Sequence, residues 1–543
     1  MSALTAPPGG WSAANQWEAS VESPLTPLDF ARRTRRLHGS RTAVIDDGLR
    51  LSYEQFLDRC DRWSSALAGL GVRPGDRVAT IAPNTHAQLE SFYAVPQLGA
   101  VLVPVNYRLT PGDFVYIVNH SGAEVVCADR DYLEALDGVR DQMPGVRHFV
   151  AYEAAREGWL DYEAAIAAAG TGFERPEISE RDLLTINYTS GTTARPKGVM
   201  ITHRNATMNT IGTLLHVPIG VGERYLWTLP MFHANGWTFP WTVTAAAATH
   251  VCLRKVEPAA VFRLIRDQQV RLLCAAPTVL ISLASAPAQV RGEVPPGVRV
   301  VTAGAPPAAA TIERLEGEFG WEVTHVYGLT ETAPFILVCA PLPEHEALPA
   351  ADRAVVKARQ GVELLTSGEL RVVDDAGQEV RADGQTLGEI VVRGNVVMQG
   401  YYNDPEATQR AMGDGWFHSG DAAVVHPDGY VEIRDRLKDV IISGGENISS
   451  VEVEGTLLRH PAVQEVAIVG LPHPRWGEAP HAFVVLGDGA SATEEELIAF
   501  TRDRLAHFKA PHGITFTGEL PKTATGKIQK YVLREGAPNL ARQ

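Results

Sequence analysis

Thirteen consecutive residues carry the chemistry of anion capture: Tyr188-Thr189-Ser190-Gly191-Thr192-Thr193-Ala194-Arg195-Pro196-Lys197-Gly198-Val199-Met200. Glycine lets the backbone come close to an anion, and the hydroxyls of Thr189, Ser190, Thr192 and Thr193 can swing to meet several oxygens. Lys197 precedes the second glycine and no serine or threonine follows it, so this is not a Walker A loop. The apolar residues Leu183 to Asn187 lead in as a strand, and Thr202 is placed to cap a helix leading out. Strand, hydroxyl-rich loop and helix N-terminus together aim N–H groups at phosphate.

Six further stretches extend that chemistry. Pro230-Met231-Phe232-His233-Ala234-Asn235-Gly236-Trp237 is a proline-bounded aromatic turn. It reads either as a packed corner or as a ligand gate, with His233 a movable wall and Trp237 the side of an organic-acid pocket. Val298 to Ala303 is a buried strand running into Gly304-Ala305-Pro306-Pro307, and open α/β sheets hold ligands at such carboxyl ends. Tyr327-Gly328-Leu329-Thr330-Glu331-Thr332 offers a ring to stack on a purine, a hydroxyl for a phosphate and a carboxylate for Mg2+. Trp416-Phe417-His418-Ser419-Gly420-Asp421 and Asp435-Arg436-Leu437-Lys438 pair an acid suited to ribose hydroxyls with a base suited to a ribose or phosphate oxygen. Pro521-Lys522-Thr523-Ala524-Thr525-Gly526-Lys527-Ile528 puts a lysine in a loop that can swing over a phosphate.

The elements that must position these groups alternate. Ser52 and Gln55 form a capping box, followed by Tyr53, Phe56, Leu57, Cys60, Trp63, Leu67 and Leu70 at helical spacing. Short apolar strands follow at Arg77 to Ala82, Val101 to Val105, Val125 to Cys127, Leu272 to Ala275 and Val298 to Ala303. This is a doubly wound α/β rhythm with more than one sheet. After Tyr327 it gives way to short strands with Asp/Gly turns, a small antiparallel β unit. A shorter α+β unit begins near Asp439, with helices from Ser450 and from the Thr493/Glu496 capping box. The predicted organisation is a tail at 1–20, a large N-terminal domain at 21–434, a hinge at 435–438 and a smaller C-terminal domain at 439–543.

At 543 residues the chain is too long for one core. Its 49 basic and 64 acidic residues give a net charge of −15, which excludes sequence-independent nucleic-acid binding but not an anionic substrate. Cys60, Cys127, Cys252, Cys274 and Cys339 are scattered and never form C-x-x-C, as expected of reduced thiols in a cytoplasmic protein without a cysteine metal site. The tail is Ala/Pro/Gly/Ser-rich, without the pattern of a signal peptide, and is expected to be disordered. The most apolar window, Trp237 to Leu253, is too polar for a membrane span.

Together these stretches resemble the adenylate-forming superfamily of acyl-CoA synthetases, luciferases and peptide-synthetase adenylation domains, in that family's order from about residue 40 to 535. Pro230 to Trp237, with Cys252-Leu253-Arg254 and Ala275-Ala276-Pro277, is similar to the branch of acyl-activating enzymes that takes short- to medium-chain or aromatic acids, as in fatty acid metabolism.

The resemblance implies a ligase acting in two half-reactions. ATP, Mg2+ and a carboxylic acid give an acyl-adenylate and pyrophosphate; coenzyme A then displaces AMP. Thr189, Ser190, Gly191, Thr192 and Thr193 would hold the β/γ-phosphates with Lys197 nearby, Thr330 the α-phosphate and Glu331 the Mg2+. Tyr327 would stack on adenine beside Gly304, Ala305 and Pro306, with Asp421 and Arg436 on ribose. Lys527 would bridge the carboxylate and the adenylate oxygens. His233, Asn235, Trp237, Gly304, Leu329 and Ala333 would border the acid, with Trp237 shortening the pocket. Lys438 would be the hinge of a mobile C-terminal domain that presents Gly444-Gly445-Glu446-Asn447 to line the thiol tunnel, with Trp476 and Lys509 left to serve the coenzyme's nucleotide. A homodimer is the candidate assembly.

One departure stands out. Where family ligases carry Phe-Lys-x-Pro followed by lysine or arginine, this chain has Phe508-Lys509-Ala510-Pro511-His512. A neutral histidine weakens one phosphate-binding charge, which keeps open a carrier-protein thiol, an amine, or activation of another small oxyacid. A non-catalytic nucleotide-binding homologue is the third reading, and intact Lys527, Glu331 and Asp421 argue against it.

Overall fold

The computed structural model describes residues 22–189, 195–304, 309–444, 446–487, 489–522 and 528–536. Two large sheets dominate. The nine-stranded sheet runs, edge to edge, Val362–Glu363, Phe335–Val338, Glu322–Gly328, Arg299–Thr302, Leu272–Ala275, Arg224–Leu226, Thr249–Val251, Thr42–Asp46 and Leu49–Ser52. The eight-stranded sheet runs Gly400–Tyr401, Lys197–Thr202, Leu183–Thr189, Val101–Pro104, Arg77–Ile81, Val125–Asp129, His148–Tyr152 and Leu160–Asp161. Strands such as Val101–Pro104 and Leu272–Ala275 are buried at every position, because helices cover both faces of a parallel sheet.

The local signals read from the sequence are realised. Ser52 and Gln55 form a reciprocal box at the start of helix Tyr53–Gly69, which buries Tyr53, Phe56, Leu57, Cys60, Trp63 and Leu67. Thr493 and Glu496 do the same for Glu494–Arg502. Among the described residues no helix is long and apolar enough to cross a membrane, and all five cysteines are free and buried.

The small β unit is a four-stranded antiparallel sheet, Glu369–Val373, Gly388–Arg393, Phe417–Val425 and Val431–Arg436. One apolar core runs from Ala31 through both large sheets to Ile390 and Val431 in this unit. The C-terminal unit has cores of its own, one around Ile441, Val453, Ile468 and Leu497 and one around Val469, Phe483, Leu520 and Leu533. Of residues 435–438, expected to form a hinge, only two lie outside the sheet. Asp435 and Arg436 stay in the sheet, paired with Ala422 and Asp421, and the turn comprises Leu437, Lys438 and Asp439.

Charged groups rivet the two large sheets. Asp46 ends a strand of the first, and its Oδ2 accepts from both the backbone N (2.8 Å) and Nδ1 (2.7 Å) of His86, which opens a helix on the second. Arg254 links fully buried Asp129 (2.6 Å) to Glu153 (2.9 Å). Burial disfavours a charged His86, but Asp46, Glu163 and Glu90 outweigh it and raise its pKa to about 10. A raised folded-state pKa contributes stability that is complete below the unfolded value and lost as pH rises through the folded one. The stability difference between the native protein and His86→Gln is therefore expected to be constant below pH 6.5 and to shrink towards pH 10. Denaturant titrations across that range measure it; a difference that does not change with pH would show that the imidazolium plays no part.

Candidate active site

Strand Leu183–Thr189 does not pass through its loop into a helix. It turns back into strand Lys197–Thr202, with Thr189 opposite Lys197. The helix capped by Thr202 and Asn205, His203–His216, begins at the far end of that second strand. Six residues, about 20 Å at ~3.4 Å each, separate it from the loop, so its dipole cannot serve a phosphate there. The cause is the run Val199-Met200-Ile201, which pairs with Leu183–Thr189 on one side and with Gly400–Tyr401 on the other. Donors for an anion must come from the loop itself.

Beyond the hairpin, three modules converge. The Lys197 ammonium lies 4.8 Å from the centre of the Tyr401 ring, a cation–π distance. The Tyr401 hydroxyl donates to Glu331 Oε1 at 3.0 Å, and Met398 N donates to the Glu331 carbonyl at 2.8 Å. Thr330, Glu331 and Thr332 form a short turn just past the end of strand Glu322–Gly328. Gly328 is required there, because a Cβ would lie 1.8 Å from the Pro334 carbonyl oxygen.

Tyr327, on that strand, donates its hydroxyl to Asp421 Oδ2 at 2.5 Å, and Arg436 Nε meets Asp421 Oδ1 at 2.7 Å. Asp421 is 4% exposed. Burial first, then the Asp421 charge, holds the Tyr327 hydroxyl well above the usual tyrosine range, so it stays protonated and donates. Burial opposes the Arg436 charge, but Asp421, Tyr327 and Glu331 prevail and raise it. The result is a paired acid and base beside a tyrosine at the carboxyl end of strand Glu322–Gly328, the end of a strand at which open α/β sheets hold ligands.

On the acid side, Trp237 is buried with its ring 5.4 Å from Phe335 in an edge contact, and Ala333 is buried nearby in the same core. His233 and Leu329 are half-buried, and Gly304 is exposed past the end of strand Arg299–Thr302. The structure spends the Asn235 side chain elsewhere than on a pocket wall. Its Oδ1 accepts from Asn187 Nδ2 at 2.9 Å, its Nδ2 donates to Thr185 Oγ1 at 2.8 Å, and Thr185 Oγ1 donates to Asn187 Oδ1 at 2.8 Å. This closed ring ties the aromatic turn to the strand that feeds the phosphate loop. Ser190, Gly191, Thr192, Thr193, Ala305, Pro306, Gly445 and Lys527 lie outside the described residues, as does the 1–20 tail.

In the C-terminal unit, Gly444 and Trp476 meet. Gly444 N donates to the Trp476 carbonyl at 2.8 Å, and at φ +61° a Cβ on Gly444 would lie 2.9 Å from the indole. Trp476 stacks on His473, whose ring is 5.2 Å from that of His512. Partial burial, His473 and Arg502 hold His512 below the ordinary histidine pKa. Lys509 is occupied by Glu452 at 2.7 Å.

The description "AMP-binding enzyme" matches residues 30–402, and "AMP-binding enzyme C-terminal domain" matches 452–527. The chain belongs to the AMP-binding enzyme family. It is 43% identical over 524 residues, 95% of each chain, to 4-hydroxybutyrate–CoA ligase 2 of Metallosphaera sedula. A 2-methylpropanoate–CoA ligase of Humulus lupulus is also 43% identical, over 536 residues and 95% of each chain. Among solved structures, an anthranilate CoA ligase in complex with anthranoyl-AMP superposes with a TM-score of 0.84 at 26% identity, over 96% of this chain and 99% of that one. A benzoate CoA ligase from Burkholderia xenovorans gives 0.82 at 26%, over 94% and 99%.

Three features of this AMP-binding enzyme escaped sequence reasoning. Tyr401 connects Lys197 to Glu331 from an edge strand of two residues, too short to carry a period. Thr185 and Asn187 look like ordinary members of an apolar strand. Glu389 accepts from Gly420 N at 2.8 Å and from His418 Nδ1 at 2.7 Å, organising the turn before Asp421, and only the strand pairing reveals it.

Two outcomes follow for the AMP-binding enzyme. Asn235→Ala leaves buried Asn187 and Thr185 short of partners and is expected to cost about 1–3 kcal/mol, read from denaturant midpoints. Asp421→Asn removes a charge-assisted pair worth about 1.5–3 kcal/mol and is expected to weaken ATP affinity by about tenfold to a hundredfold; an unchanged affinity by calorimetry would take Asp421 out of the nucleotide site.

Proposed function

We propose that this enzyme condenses a short- to medium-chain or aromatic carboxylic acid with coenzyme A by way of an acyl-adenylate. The carrying observation is the convergence of Tyr327, Glu331, Asp421 and Arg436 beside the Lys197 hairpin. Support comes from relatives named for 4-hydroxybutyrate, 2-methylpropanoate and trans-cinnamate.

In the first half-reaction a carboxylate oxygen attacks the α-phosphorus of ATP and pyrophosphate leaves. Tyr327 presents its ring to adenine, while Asp421 accepts from ribose hydroxyls and Arg436 donates to ribose or phosphate. Thr330 donates to the α-phosphate and the 189–193 loop to the outer phosphates. Glu331 is a suitable Mg2+ ligand: a half-buried hard-oxygen donor whose Oε1 takes the Tyr401 hydroxyl. Bound there, Mg2+ would neutralise phosphate charge. Lys527 spans the attacking carboxylate and the adenylate oxygens as charge develops.

In the second half-reaction the thiol sulfur attacks the acyl carbon, AMP leaves and the thiol proton is released. Rotation about Lys438 withdraws Lys527 and brings the Gly444–Trp476 surface to the thiol, gating by domain motion. Trp237, packed against Phe335, closes the end of the acid pocket and favours small or aromatic acids. We further propose a cytoplasmic enzyme in fatty acid metabolism, with a homodimer as its candidate assembly.

A second reading, another acceptor in place of coenzyme A, is favoured by a neutral His512 and a paired Lys509. An acid panel with ATP decides between them. Acyl-CoA and AMP with coenzyme A present support the first reading; acid-dependent pyrophosphate exchange without thioester supports the second. Lys527→Ala is expected to lower adenylation by about 10²–10³-fold, as for loss of one preorganised donor. Pyrophosphate exchange untouched by that change would show that catalysis does not run through Lys527.

A further inference from the structure

The C-terminal unit is held to the rest of the molecule by few groups. Its two cores contain no residue before Ile441. Among the described residues, the hydrogen bonds crossing from 22–436 to 440–536 gather beside the hinge turn. Val440 N donates to the Arg436 carbonyl at 3.0 Å, Ser449 Oγ to the Arg434 carbonyl, and Ser450 N to Asp435 Oδ2 at 2.7 Å. Asp435 is 3% exposed, and its other oxygen accepts from Arg436 N at 2.8 Å.

Behind Ser450 stands Lys530. Its ammonium donates to Ser450 Oγ and pairs with Glu454 at 2.8 Å, both side chains largely buried. Lys530 opens helix Lys530–Gly536, three residues after Lys527. One turn on, Arg534 pairs with Asp439 in the hinge turn itself at 2.6 Å. The helix that follows Lys527 is thus joined to both sides of the hinge, through Ser450 to Asp435 and through Arg534 to Asp439.

We propose that Asp435, Ser450 and Lys530 form a latch across the Lys438 hinge that selects the domain orientation seen here and so sets the balance between the two half-reactions. Asp435 and Lys530 are positioning residues, and the proposal rests on the two-orientation reading above. Asp435 accepts at the N-terminus of helix Ser450–Leu457, capped by Ser449, where a carboxylate is favoured by both the free N–H groups and the helix dipole. When the domains separate, water replaces those partners. Protein–protein and protein–water hydrogen bonds nearly cancel, so such a latch discriminates between orientations without freezing either.

The test separates the half-reactions: acid-dependent pyrophosphate exchange for the first, and single-turnover transfer from preformed acyl-adenylate to coenzyme A for the second. Asp435→Ala removes the acceptor and Ser450→Pro removes the donor N–H at a first-turn helix position that accepts proline; each is expected to change the ratio of the two rates by about tenfold in the same direction, and the double variant by no more than either, because both cut one hydrogen bond. Lys530→Met is expected to shift the ratio in the same direction and Lys530→Arg to restore it. Equal loss of both rates, or additive shifts in the double variant, would overturn the latch. Lys438→Pro distinguishes the two levels of the reading. If it alters the ratio while Asp435→Ala and Ser450→Pro do not, the latch alone fails. If hinge and latch variants all leave the ratio unchanged, or the unmodified enzyme forms no thioester, the two-orientation reading and the latch fail together.

Discussion

A carboxylate taken out of water must be answered at both oxygens, and Asp421 receives its answers from two different sheets. Tyr327 reaches it from the nine-stranded sheet and Arg436 from the adjacent strand of the small antiparallel sheet. Withdrawing one partner from a buried pair costs about 3–5 kcal/mol. The strand register that sets Asp421 opposite Arg436 is therefore tightly constrained, since a slip of one residue would turn Arg436 to the other face. The same residues are those proposed to hold the nucleotide. On that proposal stability and binding draw on one set of contacts, which forms only when the sheets are docked.

That docking is not left to Asp421 alone. The Thr185–Asn187–Asn235 ring joins the aromatic turn to the phosphate hairpin, and Tyr401 joins that hairpin to Glu331. Each link is short, buried or half-buried, and made by groups whose hydrogen-bonding needs would otherwise go unmet. The acid side and the nucleotide side are thereby fixed relative to each other, which a reaction depending on in-line approach requires.

Much of this was legible in the sequence where the signal is local. Capping boxes at Ser52 and Thr493, helical spacing from Tyr53 to Leu67 and the short apolar strands all act over a few residues, and they appear where predicted. The acid–base pair Asp421 and Arg436 was legible as chemistry, though not as an ion pair across a ladder. What escaped is set by distant pairing. Val44 aligns with His250, two hundred residues away in sequence, and no periodicity records that. The phosphate loop was expected to enter a helix because Thr202 is a good cap. The cap is real, but Val199 to Ile201 also fit a strand, and a vacant sheet position beside Leu183–Thr189 decided the matter. Asn235 reads from the sequence as a border of the acid pocket, and its place in a ring with Asn187 and Thr185 follows only from partners on a distant strand.

The chain uses two kinds of fastening, and the difference fits the proposed cycle. The two large sheets and the small β unit share one apolar core, and ion pairs such as Arg254 with fully buried Asp129 reinforce the seam between the two large sheets. Separating it would expose that core at about 25 cal/mol per Å². Across the hinge the join is made of hydrogen bonds at Asp435 and Ser449, with independent cores on either side. Contacts of that kind exchange with water at small net cost. The groups proposed to hold the nucleotide, Tyr327, Asp421 and Arg436, lie in the welded body, whereas Lys527, to which the proposed cycle gives a role in one half-reaction only, belongs by sequence to the unit across the hinge turn. Placing a residue on one side or the other of that divide is, on this reading, how the fold decides which contacts are permanent and which are turned over in each catalytic cycle.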